Sequence, residues 1–161
     1  MAINAYMKVE GLTGQSKATG KSGWIDVESF SFDVRQNVHP GAQGEDKHSG
    51  KADFSPVSVS KVVDKSSTEF FVNCAKGHVF KTVKLVYDKP TKGGKQEEYF
   101  YLELHNAIVA TTSYSGSSEH PNESLSFSFD KIKMGYKPEK DDGSLDGWVE
   151  KGYDAVELKA S

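Results

Sequence analysis

The chain is predicted to be mainly β: a β-barrel, or two curled and mostly antiparallel sheets, with one flanking α-helix at about Ser67–Lys76. Three observations predict this. Apolar residues recur at every second position through most of the chain, the period of half-buried strands. Turns bearing glycine or proline separate these stretches. A single segment changes to the three-and-four spacing of an amphipathic helix.

The first strand carries Ile3, Ala5, Met7 and Val9 in alternation. Residues 11–23 are polar and rich in glycine and read as a flexible loop. The next strand begins at Trp24 and changes phase inside. Ile25 and Val27 share one face, whereas Phe30, Phe32 and Val34 share the other, so a bulge is expected near Glu28 and Ser29. Residues 37–51, NVHPGAQGEDKHSGK, offer almost nothing to bury and read as a long protruding loop. Val57, Val59 and Val63 mark a strand and its exit.

The helix follows. Ser66 and Glu69 have the spacing of a capping box. Phe70, Phe71 and Cys74 form its apolar face, Lys76 suits the negative end, and Gly77 suits a left-handed cap. A helix this short must be held by packing. Two strands around Val83, Leu85 and Tyr87 and around Phe100, Leu102 and Leu104 are joined through Pro90 and Gly93-Gly94 as a hairpin. The second continues through residues 107–114. Leu125, Phe127 and Phe129 alternate with Ser126, Ser128 and Asp130, and the phase shifts again by Ile132 and Met134, which predicts a second bulge. A turn at 141–146 precedes a weak last strand at 148–158. The total is about eight strands in a single domain spanning residues 1–161.

The 161 residues carry a formal charge of −3, with nine Phe, seven Tyr and two Trp. This supports an aromatic core and no concentrated basic patch, so a nucleic-acid surface is not predicted. Lys61, Lys65, Lys76, Lys81 and Lys84 read as solvated positions of strands and helix. The single cysteine, Cys74, cannot form an intrachain disulfide and reads as a small core filler. The N-terminus lacks a signal-peptide pattern, and no apolar run reaches membrane-spanning length.

Catalytic patterns fail on spacing. Gly20-Lys21-Ser22 lacks the earlier glycine of a phosphate loop and leads into a strand. Gly14-Gln15-Ser16 lacks the second glycine of a nucleophile elbow. His39, His48, His78, His105 and His120 show no zinc-ligand spacing. The Asn122-Glu123-Ser124 sequon matters only on a secretory pathway. No catalytic residue, cofactor or metal is predicted.

Several stretches, in order, resemble the hemolysin-coregulated protein (Hcp) family, tube subunits of bacterial type VI secretion. They are Ala5-Tyr6-Met7-Lys8-Val9-Glu10-Gly11-Leu12, Trp24-Ile25-Asp26-Val27 with Ser29-Phe30-Ser31-Phe32, and Asp53-Phe54. Lys61-x-x-Asp64-Lys65-Ser66-Ser67, Glu98-Tyr99, Glu123-Ser124 with Phe127, and Gly152-Tyr153-Asp154 continue the series. The family often has proline where this chain has Thr68, a change that costs little in a first helical turn.

The resemblance implies a structural subunit, not an enzyme. It implies a homohexameric ring that stacks into a hollow tube, is expelled from the bacterial cytoplasm without a cleaved leader, and carries small effectors in its lumen. The partners it implies are further copies of the chain, a spike protein at the tube tip, the sheath and those effectors, with no nucleic acid and no membrane insertion. The ring-stacking loop is best matched by His39, Pro40, Gly41, Ala42, Gln43, Gly44, Glu45, Asp46, Lys47 and His48. Ser31, Asp33 and Arg35, outward on the long strand, are candidates for the ring interface or the lumen wall. The alternative is a barrel that binds a ligand or glycan on Tyr99, Tyr101 and Tyr114. A hydrolase using Ser16 ranks last.

Overall fold

The computed structural model describes residues 4–38, 40–41, 52–117 and 119–161. The described residues form twelve strands and one helix: β1 (Asn4–Val9), β2 (Ile25–Val27), β3 (Ser29–Ser31), β4 (Val34–Arg35), β5 (Asp53–Phe54), β6 (Val57–Val62), α1 (Ser67–Lys76), β7 (Val79–Pro90), β8 (Gln96–Ser115), β9 (Asn122–Ser128), β10 (Lys131–Tyr136), β11 (Val149–Asp154) and β12 (Lys159–Ala160). Every pairing is antiparallel.

The pairings run in a circuit. β1 pairs with β7 and β2; β3 pairs with β6, β6 with β9, β9 with β8, and β8 with β7. β2 and β3 are one bent strand interrupted at Glu28, whose amide donates to Ser60 O at 2.9 Å. The break at Glu28, where a bulge was expected, lets the chain pass from pairing with β1 to pairing with β6. β10, β11 and β12 extend outward from the N-terminal half of β8 as a flap.

The long strands bend together. β9 and β10 both run along β8, on its C-terminal and N-terminal halves. Between them, the amide of Asp130 donates to His105 O at 3.0 Å and the Asn106 amide group to Asp130 Oδ2 at 3.2 Å. Asn106 has φ +51°, a left-handed conformation that asparagine tolerates better than most residues. The inward face of β8 consequently switches, from Leu102 and Leu104 to Ala107 and Val109. The same switch explains why Phe80 is buried and Val79 exposed on β7, the reverse of the simple alternation.

The interior is closed by Met7, Ile25, Val57, Val59, Leu102, Leu125 and Phe127, each at most 2 % exposed, with Phe70 of α1. Phe70 meets Phe80 and Phe127 edge to face. Phe71 does not share this position: it is 53 % exposed, and the inward face of α1 is Ser67, Phe70 and Asn73, with Cys74 packed at its margin. The expected Phe70-Phe71-Cys74 face is thus rotated.

The helix start also differs. Ser66 makes no side-chain cap. Asp64 takes that role, its carboxylate accepting from the Ser66 amide at 2.9 Å while its own amide donates to Ser67 Oγ at 3.0 Å. The reciprocal logic of a capping box holds, displaced by two residues. At the other end Gly77 is left-handed, as expected, at φ +67°.

Residues 11–23 form a loop, as expected, and it is tied back on itself by backbone hydrogen bonds. The amides of Gly14 and Ser16 donate to Gly23 O and Trp24 O at 2.7 and 2.9 Å. A Cβ at Gly14 would overlap the Trp24 carbonyl, so only glycine allows this approach.

Candidate functional site: assembly surfaces and the base of the helix

The stem of the long loop is the two-stranded ribbon β4–β5, with Val34 opposite Phe54 and Arg35 opposite Asp53. Phe54 anchors it, touching Phe129 edge to face and lying 5.5 Å from the ring of Tyr153 on β11. Of the predicted stacking residues, Pro40 and Gly41 are exposed in a turn, whereas His39, Ala42, Gln43, Gly44, Glu45, Asp46, Lys47 and His48 lie outside the described residues. Ser31, Asp33 and Arg35 are brought together on the exposed side of the strand leading into the stem. Arg35 lies 3.5 Å from Asp33, with the side chains 75 % and 58 % exposed, a pair that contributes little to stability in isolation.

Beside this stem runs a shallow apolar groove of about 210 Å3, lined by Phe32, Val34, Phe54, Ile132, Met134 and Tyr153 together with Lys151 and Gly152. Val34 and Met134 are 50 % and 41 % exposed. Tyr136 and Val149 add exposed apolar area on the flap, and Phe71 and Val72 do so on α1.

At the base of α1 lies a polar cluster whose two charges sit in phase with the core, Lys61 with Val57 and Val59 and Glu123 with Leu125 and Phe127. Lys61, read from sequence as solvated, is fully buried, as is Glu123 opposite it on β9. The Lys61 ammonium reaches Glu123 Oε1 at 2.8 Å, Asp64 Oδ1 at 3.0 Å, Val62 O at 3.0 Å and Ser67 Oγ at 3.3 Å. Ser67 and Tyr114 donate to the two oxygens of Glu123, both at 2.7 Å. Burial, and then the bond to Glu123, push the Tyr114 phenol up, so it remains a neutral donor. Two buried charges survive here because their hydrogen-bonding capacity is met from the helix, β6, β8 and β9. The signal in the sequence was the spacing of Lys61, Asp64 and Ser67, which places all three at one strand-to-helix junction.

A second feature lies on the outer face of the flap. Tyr101 lies across Gly135, the residue opposite it on β10, and donates to Glu150 on β11. A Cβ at position 135 would occupy the Tyr101 ring. Burial and then Glu150 raise the Tyr101 phenol, and the same bond lowers the Glu150 carboxyl.

The candidate chemical residues are dispersed. Ser16 is 4 % exposed, and its Oγ accepts from the Ala18 amide at 3.3 Å. His105 pairs with Glu103 at 2.9 Å, and His78 packs edge to face on Phe80. Among the described residues, no three of His, Cys, Asp or Glu stand close enough to hold a metal ion. Tyr99 stacks edge to face with Tyr136 under Lys89, Tyr101 faces Glu150, and Tyr114 faces Glu123; the structure does not bring the three tyrosines to one pocket. Among the described residues, no helix is long and apolar enough to cross a membrane.

Comparison with known proteins fits this arrangement. The family model described as "Type VI secretion system effector, Hcp" matches residues 6–136. Protein hcp1 of Pseudomonas aeruginosa is 29 % identical over 149 residues, covering 91 % of each chain. Hcp1 from Salmonella typhimurium superposes with a TM-score of 0.80 at 26 % identity over the whole of both chains. A structure described as a type six secretion system protein reaches a TM-score of 0.90 at 22 % identity, covering 99 % of this chain and 100 % of its own, a likeness of fold. The match spans β1 to β10, including the Lys61–Glu123 cluster and the strand leading into the stem, and the chain therefore belongs to the Hcp family, structural tube proteins of type VI secretion.

Proposed function

We propose that the chain acts as a single structural domain. Copies join side by side into a hexameric ring, and rings stack into a hollow tube with small effectors in its lumen. The tube leaves the bacterial cytoplasm in company with the spike and sheath of the same system. One observation carries this reading: the exposed apolar surface is divided between unlike elements, the stem–flap groove and the outer face of α1. Unlike patches on one chain suit heterologous contacts, and heterologous contacts close into rings when their rotation returns to the start.

Native mass spectrometry at micromolar protein tests it. A hexamer is expected, with annular particles in negative stain; a strict monomer at that concentration overturns it. The ring-stacking role falls to the 39–48 loop, because it is carried on a separate two-stranded ribbon, β4–β5, and its sequence offers almost nothing to bury. Deleting residues 41–47 is expected to leave rings intact and reduce their stacking, measured by tube length in micrographs. Dissociation to monomers would move the loop to the ring contact. Ser31, Asp33 and Arg35 are assigned to the ring interface or the lumen wall. Arg35→Glu distinguishes the two, lowering the hexamer fraction in the first case and leaving it unchanged in the second.

A further inference from the structure

The helix α1 is apolar on two sides. Its inward side is seated on the barrel through Phe70. Its outward side carries Thr68, Phe71, Val72 and Ala75, all exposed. These four fall at positions i, i+3, i+4 and i+7, the stripe that an amphipathic helix ordinarily turns toward a core. The same spacing anchors a helix in the apolar groove of a partner. Nothing in the described part of the chain covers this stripe, and Phe71 is 53 % exposed.

The stem–flap groove is the complementary shape. It is built by β4, β5, β10 and β11 together with Phe32, and α1 contributes nothing to it. Its one charged lining residue is Lys151, directly opposite Met134 on the β10–β11 ladder. Among the described residues Lys151 makes no ion pair. On α1 the matching charge is Glu69, exposed and one turn before Val72. It too makes no ion pair and accepts only a long bond, 3.5 Å, from the Asn73 amide group. An apolar surface with an unpaired cation thus has its counterpart in an apolar surface with an unpaired anion. Groove on groove would bring Lys151 toward Lys151 about a two-fold axis, helix on helix would bring Glu69 toward Glu69, and either contact stops at two copies. Residues 39–51 of the same chain hold no large apolar side chain with which to fill the groove.

We infer that the groove of one copy receives α1 of the next, with Phe71 entering between Val34 and Met134 and Glu69 facing Lys151. This rests on the ring reading above and adds which surface meets which. Each contact leaves a free helix on one copy and a free groove on the other, so the chain of contacts ends only when the ring closes.

The test uses the full chain with its single cysteine replaced, Cys74→Ala. Phe71→Cys and Met134→Cys are introduced together and separately, and the proteins are oxidised and run on non-reducing gels. The pair is expected to give covalent multimers up to the hexamer, and neither single variant is. In the parent background, Glu69→Lys and Lys151→Glu are each expected to lower the hexamer fraction in native mass spectrometry, and the double reversal is expected to restore it. Hexamers that form no cross-link in the paired variant overturn the inference and leave the ring reading standing. Cross-linked dimers from Met134→Cys alone overturn it in favour of groove on groove. A double reversal no better than its single changes removes the Glu69–Lys151 contact. A parent protein that stays monomeric overturns the ring reading itself. Should a cysteine variant fail to fold, the charge reversals decide alone.

Discussion

Lys61 and Glu123 illustrate how one residue's environment can invert its apparent role. Lysine on a strand ordinarily marks the solvent face, yet Lys61 falls in phase with the buried Val57 and Val59. Here β6 is covered where Lys61 points, because α1 begins directly above it and Glu123 lies opposite. Removing one partner leaves a buried uncompensated charge, which typically costs about 3–5 kcal/mol. Lys61→Met and Glu123→Met are each expected to lower the unfolding free energy measured by urea titration by an amount in that range. The double variant Lys61→Met/Glu123→Met is expected to cost less than the sum of its single changes. Additive losses in that cycle would show that the two groups do not act as a pair. Gly135 gives a second case. Gly135→Ala would drive a methyl into the Tyr101 ring, and overpacking of this kind costs about 1–3 kcal/mol. A thermal midpoint equal to that of the parent would show that the ring moves aside freely.

Among the elements, the helix is the most sensitive to a small error of rotation. Its two adjacent phenylalanines stand about 100° apart on the helical wheel, so one alone can point at the barrel. Phe70, fully buried between Phe80 and Phe127, is that residue. Phe70→Ala is expected to cost about 3–5 kcal/mol in a denaturant titration, the usual loss for a buried phenylalanine. Phe71→Ala is expected to change stability by no more than about 0.5 kcal/mol, as for an exposed position. Equal losses would place both side chains in the core. The bend shared by β7, β8 and the β9–β10 pair works similarly. One left-handed residue, Asn106, reverses which face of β8 is inward, and the neighbouring strands follow through their register.

For the whole molecule, the core and the surfaces proposed for assembly are separate. The core lies inside the strand circuit, whereas Met134 and Val149 stand on the flap with much of their apolar area exposed. Met134→Asp and Val149→Asp are therefore expected to shift the thermal midpoint little and to reduce the hexamer fraction in native mass spectrometry. Unchanged hexamers in both variants would remove the flap from the ring contact.

The mainly β architecture with one helix was legible from apolar alternation, and so were both strand breaks, because a change of phase at Glu28 or before Ile132 is written directly in residue order. The left-handed end of the helix was equally legible in Gly77. Residue order does not say what comes to lie over a strand from a distant part of the chain. That is why Ser16 and Lys21, read as parts of a flexible polar loop, are buried; Lys61, read as solvated, is buried too, although it shares its strand phase with Val57 and Val59. Local pattern reflects interactions a few residues apart, which backbone geometry sets in advance. The burial of Lys61 against Glu123 and the overlay of Tyr101 on Gly135 depend on contacts tens of residues apart, and these exist only once the sheets have closed.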